Sequence, residues 1–268
     1  MAVYRKLTDF LWIPLLLIFL YPVIRYSGSH TAVDDFRVIQ GPLVTGREAL
    51  DSLISMNKGK PVIVNFWATW CSPCVGELPH IDEVLRSMDG EIAAVAVDMG
   101  DPELETLLKF RENFVLSMPV IWLSENDART LKDEWNLSDV LPMTIVFDSD
   151  GNEITRVAGV RDIDFFRNAV TVTPAPDSIE HDTDQVLHIN VVGFSADSLT
   201  QALLAEAVEL AGEESVDFYD PSLDSLAIRE LYLPVSGFPY AQPCIGTACG
   251  RPAGTPEELL RVVTNLSD

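Results

Sequence analysis

The sequence predicts an α/β fold, with a central mixed sheet flanked by helices and a smaller α/β domain after it. Three observations support this prediction. Strand-like and helix-like patterns alternate along residues 36–171, the first region, which is typical of parallel strands joined by helices. A hairpin pattern closes that region and makes its sheet mixed. A shorter alternation occupies residues 186–268, the second region.

The elements of the first region follow in order along the chain. The predicted helices are REALDSLISM (47–56), VGELPHIDEVLRSM (75–88), PELETLLKFRENF (102–114), ARTLKDEW (128–135) and DIDFFRNAV (162–170). The predicted strands are PVIVNFWA (61–68), EIAAVAV (91–97), MPVIW (118–122) and the hairpin MTIVFDSDGNEITRVAG (143–159). The central strands are continuous apolar runs, as expected for a sheet that is covered on both faces.

A linker is predicted at residues 172–185 (VTPAPDSIEHDTDQ), because two prolines and a cluster of acids separate two periodic regions. Beyond it lie the elements of the second region. They are the strand VLHINVVGF (186–194), the helix DSLTQALLAEAVELAG (197–212), the strand SVDFYD (215–220) and the helix TPEELLRVV (255–263).

An export or anchoring segment is predicted at residues 1–28. Arg5 and Lys6 precede an uncharged apolar run at 10–24, and Arg25 follows it. The run is shorter than the roughly 20 residues that cross a bilayer, but a flanking arginine can reach the interface. We therefore favour an uncleaved anchor over a cleaved signal peptide. Both alternatives place the rest of the chain in a periplasmic or other extracytoplasmic compartment, where disulfides persist.

The charge of the chain argues against negatively charged partners. Its 268 residues include 18 Lys and Arg against 41 Asp and Glu, for a net charge of −23. Nucleic acids and anionic lipid surfaces are bound through basic faces, so neither is an expected ligand. Contact with the membrane is expected only through the N-terminal segment.

The stretch WATWCSPCVGELP (67–79) places two cysteines where a predicted strand gives way to a helix. Cys71 falls at or near the first helical turn, where free N–H groups and the helix dipole stabilise a thiolate, the nucleophile of disulfide exchange. Cys74 lies one turn further on, so its sulfur can displace a partner bound to Cys71. Both are candidate catalytic residues.

Glu77 and Pro142 are further candidates. Glu77 shares a helix side with Cys74, and a partly buried carboxylate there would have a raised pKa and could move protons to and from the thiol. The alternative is a solvated glutamate near the helix start. Pro142 precedes the strand that begins at 143, where a cis bond is expected, with an ordinary trans proline as the alternative.

The stretch VNFWATWCSPCVGELP (64–79) resembles the active site of the thioredoxin superfamily, and in particular of its membrane-tethered TlpA/ResA-like branch. The resemblance covers about residues 36–171 and implies a thioredoxin fold. The site residues it implies are the attacking Cys71, the resolving Cys74, the acidic Glu77 and a cis Pro142 that faces the disulfide.

Two parts of the sequence bear on the resemblance to the TlpA/ResA-like branch and on the substrate that it implies. Asn65 stands where ordinary thioredoxins have a buried aspartate, which agrees with the TlpA/ResA-like branch and leaves Glu77 as the favoured proton carrier. Members devoted to cytochrome c maturation usually have a glycine in the segment that leads to the cis-proline and a threonine after it, whereas this chain has SDVLPM at 138–143. The resemblance therefore implies disulfide exchange without specifying an apocytochrome substrate.

The function implied is that of an exported thiol-disulfide oxidoreductase, which reduces protein disulfides and is itself reduced by a membrane electron donor. No cofactor is expected. A redox-inert scaffold and a peroxiredoxin-like peroxidase are the alternatives. The presence of Cys71 and Cys74 counts against a scaffold, and the Trp67-Ala-Thr-Trp sequence before Cys71 lacks the P-x3-T/S-x2-C pattern of a peroxidatic cysteine.

Cys244 and Cys249 form a second pair. A turn at Gly246 would bring them together, so a structural disulfide is the first prediction; free thiols and an electron relay to the first pair are alternatives. A zinc site is disfavoured because no histidine has ligand spacing to them. The stretch QPCIGTACGRPAGTPEELLRVV (242–263) is faintly similar to the chain end of YyaL-type thioredoxin-domain proteins, which implies no function for it.

Overall fold

The computed structural model describes residues 40–171 and 186–267. The predicted anchor at 1–28 and the predicted linker at 172–185 lie outside the described residues, so the domain boundaries that they define remain predictions. Among the described residues, no helix is both long enough and apolar enough to cross a membrane.

The strands described in residues 40–171 form one mixed sheet in the order β1-β4-β3-β2-β5-β6. They are β1 (Leu43–Thr45), β2 (Val62–Trp67), β3 (Ala93–Asp98), β4 (Val120–Trp122), β5 (Met143–Phe147) and β6 (Glu153–Ala158). Strands β1, β4, β3 and β2 are parallel, while β5 and β6 run antiparallel to their neighbours. The fold class predicted from the sequence is thus confirmed.

The helices of this region connect the strands and cover the sheet. They are α1 (Arg47–Met56), α2 (Ser72–Ser87), α3 (Leu104–Arg111), α4 (Glu125–Trp135) and α5 (Ile163–Thr171). Strand β2 is buried at every position because it lies inside the sheet under this cover. Its carboxyl end leads through a short loop into α2, which continues through Pro79.

The strands described in residues 186–267 form a second sheet in the order β10-β9-β7-β8. The strands are β7 (Leu187–Val192), β8 (Val216–Tyr219), β9 (Tyr240–Ile245) and β10 (Ala248–Cys249), and the helices are α6 (Ser198–Ala211), α7 (Ser225–Glu230) and α8 (Pro256–Ser267). A small apolar core joins β7 to α6 and α8 through Ile189, Leu203 and Leu259, which are fully buried.

Several short elements were not predicted from the sequence. Strand β1 has three residues, β10 has two and α7 has six, which is too few for a hydrophobic period to repeat. Strand β9 carries Pro243, which cannot donate to a ladder and hides the strand pattern.

All described residues belong to one compact unit that spans Ile39–Asp268.

Candidate active site

Cys71 occupies the cap position at the start of α2. Its backbone is extended, and its Sγ accepts a hydrogen bond of 3.3 Å from the backbone N–H of Cys74. A side chain in this position satisfies one of the free N–H groups of the first helical turn. Cys71 and Cys74 are joined by a disulfide with Cα atoms 5.2 Å apart, and both residues are fully buried.

Glu77 is fully buried one turn beyond Cys74. One carboxyl oxygen accepts a hydrogen bond of 2.8 Å from Nδ2 of Asn65, and the other accepts one of 2.7 Å from the backbone N–H of Arg161. Burial raises the pKa of Glu77 to about 8, although both hydrogen bonds act to lower it. The group therefore titrates close to neutral pH.

Thr144 belongs to the same buried polar group, although the sequence analysis did not single it out. It lies opposite Asn65 in the β2–β5 register, and its Oγ1 accepts a second hydrogen bond of 2.8 Å from Asn65 Nδ2. The signal in the sequence was a hydroxyl within the otherwise apolar MTIVF strand. Through Asn65, Thr144 therefore connects Glu77 to the start of β5, two residues after Pro142.

Pro142 follows a cis peptide bond from Leu141, and its carbonyl accepts a hydrogen bond of 2.9 Å from the N–H of Gly159. Leu141 itself pairs with the second region. Its N–H donates to the Cys249 carbonyl at 3.0 Å, and its carbonyl accepts from the Cys249 N–H at 2.7 Å.

Cys244 and Cys249 are joined by a disulfide, with Cα atoms 4.0 Å apart. They face each other across β9 and β10, in a hairpin that turns at Gly246, whose φ is 55°. We call residues 240–249 the C-terminal hairpin. Cys244 is 7% exposed and Cys249 is 3% exposed. The pairing agrees with the sequence expectation, while the structural role given to it stays a prediction.

Asp101, which the sequence did not indicate as a site residue, contacts the loop before Cys71, and Asp98 contacts the turn that carries Asp101. Asp101 accepts hydrogen bonds from the N–H and the hydroxyl of Thr69, at 2.9 and 2.7 Å. Asp98 accepts from the N–H groups of Gly100 and Asp101, each at 3.1 Å. Burial, followed by the charge of Asp101, raises the pKa of Asp98 well above its usual range.

Within residues 40–171 and 186–267, no three His, Cys, Asp or Glu side chains form a group that could hold a metal ion. The chemistry that the described site offers is that of two sulfurs, a buried carboxyl group and backbone donors.

Known proteins similar to this chain match parts of the first region. A family model described as thioredoxin-like matches residues 59–153. The chain is 31% identical over 110 residues to thiol-disulfide oxidoreductase ResA of Geobacillus kaustophilus, covering 41% of this chain and 60% of that protein. It is 30% identical over 103 residues to ResA of Bacillus subtilis, covering 38% of this chain and 55% of that protein.

A crystal structure of a thioredoxin-family thiol:disulfide interchange protein from Chlorobium tepidum aligns with a TM-score of 0.40 and 24% identity, covering 44% of this chain and 83% of that one. The chain spans little more than half the length of the two ResA relatives. The matched family range includes both cysteines of the buried pair at the start of α2. The part of the chain that matches the thioredoxin-like family model is therefore the part that carries Cys71 and Cys74.

Proposed function

We propose that the protein is a thiol-disulfide oxidoreductase whose reactive pair is Cys71 and Cys74. One observation carries the proposal: the sulfur of Cys71 caps α2 and accepts the Cys74 N–H. A thiolate formed there on reduction keeps this hydrogen bond and gains from the positive end of the helix dipole. The same position that shapes the helix therefore favours the nucleophilic form of the sulfur.

The exchange uses the two sulfurs in turn. The Cys71 thiolate attacks a substrate disulfide, forms a mixed disulfide and releases one substrate thiol. The Cys74 thiolate then attacks Cys71, which forms the Cys71–Cys74 disulfide and releases the second thiol. Two electrons pass to the substrate, and a donor dithiol restores the reduced pair.

Glu77 serves as the proton carrier of this cycle. Cys74 must lose a proton before it attacks, and Glu77 lies on the same side of α2, three residues away. A pKa of about 8 lets the carboxyl group both give and accept a proton near neutral pH. Asn65 and the Arg161 backbone fix its two oxygens. Pro142 is proposed to face the disulfide, as the family resemblance implies.

The relatives named as thiol-disulfide oxidoreductases support protein disulfides as the substrates. We further infer that the protein works as a reductase, that a membrane electron donor reduces it, and that residues 1–28 export and anchor it. The export and anchoring rest on the apolar N-terminal sequence.

Reduction of insulin by the full-length protein, with a dithiol as electron source, tests the activity. Wild type should accelerate precipitation of the insulin chains, and Cys71→Ser should not. Peroxide consumption measured beside it separates the other classes. A protein that consumes peroxide but leaves insulin oxidised would be a peroxidase, and one that does neither would be a scaffold.

A further inference from the structure

We propose that the Cys244–Cys249 disulfide is a second redox-active site, which exchanges electrons with Cys71 and Cys74 within the same chain. This inference rests on the proposed function of the first pair. It selects the relay that the sequence analysis kept as an alternative to a purely structural bridge.

Cys249 lies between its disulfide partner and the first region. On one side it faces Cys244 across the β9–β10 ladder, and on the other its backbone makes two hydrogen bonds with Leu141. Leu141 immediately precedes Pro142, the predicted site residue. The backbone pairing thus fixes the position of the second disulfide against the segment that enters β5.

A second contact fixes the hairpin beside Cys71. Gln242 is 1% exposed, and its Nε2 donates a hydrogen bond of 3.3 Å to the carbonyl of Trp70, the residue before Cys71. Gln242 and Cys244 are two residues apart on one strand, so their side chains share a face. The face of β9 that reaches the Cys71 loop is therefore the face that carries Cys244.

A third contact lies near Glu77. The hydroxyl of Thr247, in the hairpin turn, accepts a hydrogen bond of 2.9 Å from the N–H of Val160. The next residue, Arg161, donates its N–H to Glu77. Gly159 permits this close approach, because a Cβ there would lie 2.7 Å from the Thr247 hydroxyl oxygen. The hairpin therefore contacts the residue before Cys71, the residue before Pro142 and the residue before Arg161, whose N–H binds Glu77.

Burial also favours exchange between the two pairs. Cys71 and Cys74 are fully buried, and Cys244 and Cys249 are nearly so, so exchange within the chain does not require a sulfur to be exposed to solvent. A bridge is also hardly needed to close this hairpin, because backbone pairing already joins β9 to β10 and β9 to β7. A redox role explains why the Cys244–Cys249 disulfide is present and why it lies against the segments near Cys71 and Pro142.

The exchange balances without a further reactant once a dithiol donor has reduced the first pair. The Cys71 thiolate attacks a sulfur of the Cys244–Cys249 bond, which breaks and releases the other cysteine as a thiolate that takes up a proton. Cys74 loses its proton and attacks Cys71, which re-forms the Cys71–Cys74 disulfide. The hairpin sulfur that leaves is then protonated. Two electrons have moved from the first pair to the second, and the two protons taken up by the hairpin sulfurs replace the one that Cys74 loses here and the one that Cys71 released when its thiolate formed.

Kinetics of hairpin reduction test the relay. The oxidised full-length protein is mixed with limiting dithiothreitol, quenched by alkylation, and the thiols at Cys244 and Cys249 are quantified by mass spectrometry. We expect these thiols to appear at least tenfold faster in wild type than in Cys71→Ser/Cys74→Ser, and the rate constant for transfer from the reduced first pair to the hairpin to be independent of protein concentration. Equal rates in the two proteins would overturn the relay.

Trapping supplies an independent measurement. In Cys74→Ser the mixed disulfide cannot resolve, so peptide mapping after partial reduction should find Cys71 linked to Cys244 or Cys249 within one chain. Thr247→Val, which removes the acceptor of the Val160 N–H, should lower the yield of this species several-fold, and Thr264→Val on α8 should not. Absence of the linked peptides in Cys74→Ser would also overturn the relay.

Insulin reduction separates this inference from the proposed function. A wild-type protein that reduces insulin while Cys244–Cys249 stays oxidised would exclude the relay and leave the oxidoreductase activity standing. A wild-type protein whose first pair accepts electrons but reduces neither insulin nor the hairpin would contradict both.

Discussion

Asn65 donates a buried hydrogen bond of 2.8 Å to Glu77, and the same amide nitrogen donates another of 2.8 Å to Thr144. Both hydrogens of the amide are therefore used, which fixes the direction of the Asn65 side chain. An amide cannot titrate, so Glu77 is the member of this polar group that can exchange a proton. The redox site is thus supplied with one fixed carboxyl group whose pKa is about 8.

Glu77→Gln is expected to slow disulfide exchange at least about tenfold near pH 7, since acid–base catalysis commonly contributes roughly 10²–10⁴-fold. The amide keeps the shape of the side chain but cannot carry a proton. The pH–rate profile of wild type should show an inflection near pH 8, which the variant should lose. Glu83→Gln, at an exposed position of α2, is the matched control and should keep the wild-type profile. Superimposable profiles for wild type and Glu77→Gln would assign Glu77 a structural role only.

Stability should depend on pH through the same group. The folded-state pKa of Glu77, about 8, lies above the ordinary value of 4.5, so folding favours the protonated carboxyl group. This contribution is complete below about pH 4.5 and is lost as the pH rises to about 8, with a slope on the order of 1.4 kcal/mol per pH unit. Urea unfolding of wild type and Glu77→Gln between pH 5 and 9 measures the difference. Parallel curves for the two proteins would contradict the raised pKa.

The two cysteines of the first pair should have different roles. Cys71→Ser should abolish turnover because it removes the sulfur that caps α2 and attacks the substrate. Cys74→Ser should keep the attack but leave the mixed disulfide unresolved, so it should accumulate covalent adducts with substrate or with the hairpin. Adduct formation by each single variant is measured on non-reducing gels. If Cys71→Ser accumulates adducts and Cys74→Ser does not, the roles are reversed.

Thr69→Val should destabilise the fold by about 1.5 to 3 kcal/mol, the usual effect of losing a hydrogen bond to a charged group. The substitution keeps the shape of the side chain but removes the hydroxyl that donates to Asp101 at 2.7 Å. Urea unfolding gives the change in free energy. Thr106→Val, at an exposed position of α3, provides the control and should change stability by less than about 0.5 kcal/mol. A loss in Thr69→Val no larger than in the control would show that this contact contributes little to stability.

Cys244→Ala/Cys249→Ala should lower the free energy of unfolding by only about 1 to 2 kcal/mol, because the bridge closes a very short loop. Thermal unfolding of the oxidised proteins measures this loss. The relay makes a second prediction for the same variant. It should lose the transfer of electrons through the hairpin while it still folds. A loss well above this range would instead favour a mainly structural bridge.

The sequence by itself determined the secondary-structure elements that are specified by patterns of neighbouring residues. The alternation of apolar strands and amphipathic helices predicted the mixed sheet, and the strand-to-helix junction placed Cys71 at the start of α2. These predictions succeeded because periodicity, capping and the helix dipole act over a few neighbouring residues. The pairing of Cys244 with Cys249 was equally local, since a turn at Gly246 lies between them.

Only the tertiary structure decided which groups meet at the site. Glu77 is fixed by the backbone of Arg161, 84 residues away, and Gln242 reaches Trp70 across 172 residues. Neither contact leaves a periodic trace in the sequence. The pKa of Glu77 depends on complete burial, and the place of the second disulfide depends on the pairing of Cys249 with Leu141. The burial of the Glu77 carboxyl group and the contact between Cys249 and Leu141 both arise only when distant segments of the chain pack together. Neither can therefore be predicted from a few neighbouring residues.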